Sequence, residues 1–105
     1  MQAEHPRSRR YSFAAIIDVL DVKSESQIHG RTSDVSLTGC FVQTPKPLPH
    51  ETKVRISITS RGENFTALGR VIHIRPNVGM GIMFNEIAPN DQQVLEKWLS
   101  QARTG

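Results

Sequence analysis

Val54, Ile56 and Ile58 alternate with Arg55, Ser57 and Thr59. Only a β-strand turns that spacing into one dry face and one wet face, so a sheet is the first thing this chain must build. The period-two pattern recurs. Ser12 to Leu20 carries Phe13, Ala15, Ile17 and Val19 on one parity; with Ala14 and Ile16 on the other, it reads as a largely buried strand. Ile28 to Asp34 and Cys40 to Thr44 follow. Phe65 to Arg75 then sets Leu68, Arg70, Ile72 and Ile74 against Ala67, Gly69, Val71 and His73, and Val78 to Phe84 closes the series with a glycine-rich strand.

The separators are equally regular. Asp21 to Ser26 is polar and reads as a hairpin loop, Arg61-Gly62-Glu63-Asn64 and Pro76-Asn77 read as turns, and Pro45, Pro47 and Pro49 mark a loop because proline donates nothing to a ladder. Six antiparallel strands in such a meander are expected to close into a small barrel, which hides their edges. The end of the chain changes period. Asn90 is placed to cap a helix with Gln93 behind it, and Val94, Leu95, Trp98 and Leu99 form a stripe at helical spacing. The expected fold is mainly β: a six-stranded antiparallel β-barrel over 12–84, with a C-terminal α-helix over 90–101 anchored by Trp98.

With 105 residues, 37% hydrophobic and 22% charged, the chain can bury one core of its own. No apolar run approaches the roughly 18 residues of a membrane span, and MQAEHPRSRR lacks the apolar stretch of a secretory signal. A cytoplasmic protein without membrane contact is the expectation. The lone Cys40, within Gly39-Cys40-Phe41-Val42, reads as a small buried filler. His5, His29, His50 and His73 lack metal-ligand spacing, no Gly-x-Ser-x-Gly elbow or phosphate loop occurs, and Gly79-x-Gly81 lacks the strand-to-helix context of a dinucleotide site. The reading is therefore no enzyme, no metal and no cofactor.

Charge is concentrated at one end. Arg7, Arg9 and Arg10 against Glu4 give residues 1–11 a net +2 out of the chain's +3. Residues 1–11 are expected to form a flexible basic arm and residues 12–102 the single folded domain. Such an arm suits a phosphate-bearing partner. In the middle of the barrel pattern lies Asp34-x-Ser36-x-x-Gly39. Those residue types can make a tight turn by bonding their own backbone, or can present an acceptor, a hydroxyl and an open backbone to a ligand.

The arginine-rich lead-in, "RYSF" opening the first strand, "SDVSLTGCFV" at the turn and "VGMGIMFNEI" before the helix together resemble the PilZ domain family over nearly the whole chain. This resemblance implies a six-stranded barrel and a bacterial receptor for the second messenger cyclic di-GMP, acting on an effector protein that the sequence does not identify, as a monomer or homodimer. It implies a site formed by the arginine arm and the Asp34-x-Ser36-x-x-Gly39 turn. Arginine can bond guanine or phosphate bidentately, Asp34 can accept from guanine N–H groups, Ser36 can donate, and Gly39 is expected to permit positive φ and close approach. The family's Arg-x-x-x-Arg does not occur here. If Arg10 is its second arginine, Pro6 takes the first position and Arg7 stands one residue late. Arg7 and Arg10 are the leading pair, with Arg9 as a substitute.

Two other readings remain. A PilZ-like adaptor would use the barrel for protein contacts without nucleotide. A barrel binding single-stranded nucleic acid would need exposed stacking platforms, and six aromatic residues mostly assigned to the core argue against it.

Overall fold

The computed structural model describes residues 9–104. Its strands are β1 (Tyr11–Ser12), β2 (Ile16–Asp21), β3 (Gln27–Val35), β4 (Gly39–Gln43), β5 (Lys53–Ser60), β6 (Glu63–Arg75) and β7 (Gly79–Glu86), followed by helix α1 (Pro89–Thr104). Hydrogen-bonded neighbours run β3-β2-β5-β6-β7-β4, and β4 pairs back onto β3, so six antiparallel strands close a barrel. The two-residue β1 continues the line of β2 along the same side of β3, with Tyr11 opposite Val35 and Ser12 opposite Asp34.

The alternation in sequence becomes an inside and an outside. Ile17, Val19, Val54, Ile56, Ile58, Phe65, Val71 and Met80 have no exposed surface and fill the barrel. The first segment differs from its expectation in two ways. It is interrupted at Phe13–Ala15, and its second face is wet: Ile16 is 58% exposed. In β2 the barrel core takes only one face, so the other stays wet whatever its composition.

Turn chemistry sets the hairpins. Arg61 and Gly62 both have positive φ, at 53° and 79°, which is the two-residue type I′ connection that matches strand twist. Between β6 and β7, Pro76 occupies the first central position and Asn77, φ 65°, the second; the Val78 N–H donates to the Arg75 carbonyl at 2.9 Å, as in a type II turn.

Helix α1 begins one residue before the expected Asn90 cap, because Pro89, with its fixed φ and missing N–H, suits the first helical position. Gln92 N–H accordingly bonds the Ala88 carbonyl at 2.8 Å. Asp91, in the first turn, accepts the Thr66 N–H and hydroxyl from β6 at 2.9 and 3.2 Å. Leu95, Trp98 and Leu99 are buried, and Trp98 stacks on Phe13 with centroids 5.2 Å apart while its indole N–H donates to Glu63. No helix among the described residues is long and apolar enough to cross a membrane.

Candidate functional site

Arg10 immediately precedes β1, and Asp34 lies near the end of β3. Pairing of Ser12 with Asp34 sets Arg10 diagonally beside that carboxylate. The Arg10 Nε donates to Asp34 Oδ1 at 2.8 Å and Nη2 approaches the same oxygen at 2.6 Å; Ser33 Oγ donates to Oδ2 at 3.2 Å. The Arg10 side chain is 60% exposed and that of Asp34 28%, so the pair stands at the surface, where a competing anion or base edge can reach both partners.

Ser36 is 5% exposed and its hydroxyl serves the turn. It accepts the Thr38 and Gly39 N–H groups at 3.1 Å each, while the Ser36 N–H donates to the Gly39 carbonyl at 2.8 Å. That is the self-capped turn anticipated as the alternative to ligand contact.

Gly39 departs from its expected role, because the one glycine of positive φ among the described residues is Gly62. A glycine is needed at 39 for a different reason: a Cβ there would stand 2.3 Å from the Ile82 carbonyl oxygen of β7. The close approach is between two strands of the barrel.

Register extends the site across the outer wall. Ser12, Asp34, Phe41, Gly81 and His73 form one cross-strand row over five strands, and Ile16, Arg31, Gln43, Gly79 and Arg75 form the next outward row. Met80 and Ile82 point into the core, so Gly79 and Gly81 leave the outer wall open between them. The Phe41 ring lies there, with the Arg75 guanidinium 5.9 Å from its centroid. Asp34 is the one carboxylate in these two rows, beside Arg10, Arg31 and Arg75. Phe41 and its neighbours escaped sequence reading because Gly-Cys-Phe-Val looks apolar throughout; the paired glycines of β7 are the signal that a ring packs across them.

Arg9 is exposed and lines a shallow cavity of about 250 Å³ with Tyr11, Leu37, Glu96 and Leu99; neither Arg10 nor Asp34 lines it, so the structure does not bring Arg9 together with the pair. Arg7 lies outside the described residues. A larger open cleft of about 590 Å³ sits elsewhere, between Arg55, Thr66, Leu68, Glu86 and Asp91. Cys40 is buried beneath the site, and desolvation, with the Asp34 carboxylate adding to it, pushes its thiol up to about 12. Among the described residues no cluster of three or more His, Cys, Asp or Glu is placed to hold a metal ion.

A closed six-stranded barrel with a helix packed against it and an arginine-flanked outer wall defines a small β-barrel domain. The chain belongs to the PilZ domain family, whose model matches residues 2–101. A comparison with curated proteins finds no match. The fold is similar to that of the PilZ domain of YcgR from Escherichia coli, solved with c-di-GMP, at TM-score 0.78 and 16% identity, covering 96% of this chain and 93% of that one. It is also similar to the PilZ domain of CeSA from a cellulose-synthesizing bacterium, at TM-score 0.70 and 20% identity over 91% of this chain and 99% of that one. The Bacillus subtilis inhibitor of motility, MotI/DgrA, matches at TM-score 0.80 and 16% identity over 97% of this chain. This chain spans about half of it, 53%.

Proposed function

We propose that this domain is a receptor for cyclic di-GMP that binds the dinucleotide across the outer wall beside β3, and that it passes the bound state to a protein partner. The observation that carries the reading is the Arg10–Asp34 pair at the surface: a guanidinium and a carboxylate, held together within reach of the same ligand. A cyclic dinucleotide offers what each partner can use. Its phosphates and guanine O6/N7 edges suit arginine, and its guanine N–H groups suit Asp34. The likeness to the YcgR domain solved with c-di-GMP supports the same ligand class.

Within this reading, Arg10 and Asp34 form the centre of the site, and Arg7 and Arg9 complete it from the arm. Ser36 and Gly39 shape the β3–β4 turn that presents Asp34. The wall itself contributes Arg31 and Arg75. Leu37, 44% exposed at the tip of that turn, is where a partner protein would sense the occupied site. The domain acts as a binding module in the cytoplasm, without catalysis, with residues 1–11 as its arm and 12–102 as its body.

Two observations favour the non-nucleotide adaptor as a second reading: Ser36 is spent on its own turn, and Asp34 already holds a cation. Calorimetric titration separates the two. Saturable heat with cyclic di-GMP, absent with GTP and with a single-stranded oligonucleotide, is expected of the receptor; no heat with any of the three at tens of micromolar is expected of the adaptor.

A further inference from the structure

The strands at the site carry unequal numbers of residues between the same two rows. Ser12, Asp34 and Phe41 share one row. In the row toward β2, Thr32 pairs with Val42, and the Thr32 N–H donates to the Ala15 carbonyl at 2.9 Å. Between these rows β4 has no extra residue, β3 has Ser33, and the lead-in has both Phe13 and Ala14. The sheet therefore widens in steps toward its first strand, and the widened ladder separates main-chain groups that would otherwise pair.

Thr32 fills that gap. It is 1% exposed; its hydroxyl accepts the Ala15 N–H at 3.0 Å and donates to the Phe13 carbonyl. The Phe13 N–H bonds the Ser33 carbonyl at 3.1 Å on the far side of the same gap. Without the step, continuing the Ile16–Arg31 pairing would set Phe13 against Asp34 and Tyr11 against Ser36. A slip of one residue reverses every side chain. Tyr11 and Phe13 would leave the core side, and Arg10 would turn away from Asp34.

We infer that Thr32 is the positioning residue for the arginine arm: its buried hydroxyl holds the bulge at Phe13–Ala15 and so selects Arg10 as the side chain that meets Asp34. The assignment rests on the cyclic di-GMP reading for its functional consequence, but its structural half can be measured without ligand. Thr32 itself is too buried to touch a dinucleotide.

The test compares the full chain with Thr32→Val, which keeps the shape and removes the hydroxyl, and with Thr32→Ser, which restores it. The Arg10 Nε–Hε resonance is followed without ligand, and affinity for cyclic di-GMP is followed by calorimetry. In Thr32→Val the barrel is expected to persist, the Arg10 signal to move to the position of a free arginine, and affinity to fall about tenfold or more, as for a lost bond to a charged group. Thr32→Ser should recover both. Deleting the exposed Ala14 removes one of the two extra residues, so in that background Thr32→Val should leave Arg10 on Asp34. An unmoved Arg10 signal in Thr32→Val overturns the assignment, as does an equal loss with and without Ala14, which would mean that Thr32 acts by packing alone. If Thr32→Val does not fold, the same substitution in the Ala14 deletion decides: Arg10 on Asp34 there supports the assignment and its loss overturns it. Wild-type protein that binds no cyclic di-GMP while Thr32→Val still displaces Arg10 fails the receptor reading and leaves the register role standing.

Discussion

Arg10 brings two guanidinium nitrogens onto a single oxygen of Asp34, 24 residues away, at 2.8 and 2.6 Å. Because the pair is solvent-accessible, its net contribution to folding is about 0–1 kcal/mol. The same groups offered to a ligand in a fixed geometry are worth more. Asp34→Ala is therefore expected to weaken cyclic di-GMP binding by about 1.5–3 kcal/mol, roughly ten- to a hundredfold, with Arg10→Ala costing at least as much. Urea unfolding of both variants should shift by less than about 1 kcal/mol. Arg7→Ala and Arg9→Ala, measured alongside, identify which arginine of the arm joins Arg10 by the larger loss.

Ser36→Ala should behave in the opposite manner. Removing the buried hydroxyl takes the acceptor from the Thr38 and Gly39 N–H groups in a turn whose tip is open to water, so stability should fall by about 0.5–1.5 kcal/mol. Affinity should follow only insofar as the turn loosens. A large affinity loss with unchanged denaturation would instead make Ser36 a direct ligand contact.

Cys40 should be inert in the folded protein. Its thiol is raised to about 12 chiefly by burial, so the thiolate that reacts with disulfide or alkylating reagents is scarce at neutral pH. A folded-state pKa above the unfolded one adds stability that is complete below the unfolded value and is lost as pH climbs from there through the folded value. Thiol labelling at pH 8 should therefore proceed at the rate of barrel opening and accelerate with urea; labelling as fast as a free cysteine without denaturant would contradict the burial.

Trp98 ties the helix to the barrel through Phe13, Phe65 and Glu63. Trp98→Ala should cost about 3–5 kcal/mol by chemical denaturation. Trp98→Phe should recover most of this, keeping the ring and losing the indole donor.

Much of the barrel was legible because its information is local. The Val54-Ile56-Ile58 alternation and the Val94-Leu95-Trp98-Leu99 stripe each report on their own neighbourhood and fall as expected, while the turn expected over Arg61–Asn64 shortens to Arg61-Gly62 because that pair alone closes the hairpin and Glu63 already pairs with Ser60. Pro89 advanced the helix start because a fixed φ outweighed the side-chain cap anticipated at Asn90. What the sequence hid is relational. Ile16 is apolar yet exposed because the other side of its strand had already claimed the core, and the extra residues at Phe13–Ala14, one relative to β3 and two relative to β4, exist only by comparison with those strands. At the candidate site, Asp34 and Arg10 were legible through the resemblance of their motifs to the PilZ family, residue type alone leaving a plain turn open, but Thr32 and Phe41 were not: one serves a bulge between strands, the other lies over glycines 38 and 40 positions later.

The most direct measurement is a heteronuclear NMR titration of the full chain with cyclic di-GMP, following the Arg10 Nε–Hε signal and the backbone amides of 33–36. Saturable displacement of the Arg10 signal, with shifts concentrated at Ser12, Asp34 and Phe41 and absent when GTP replaces the dinucleotide, is the predicted result. No movement at tens of micromolar ligand, or shifts confined to the cleft of Arg55, Glu86 and Asp91, would contradict a cyclic di-GMP site built on Arg10 and Asp34.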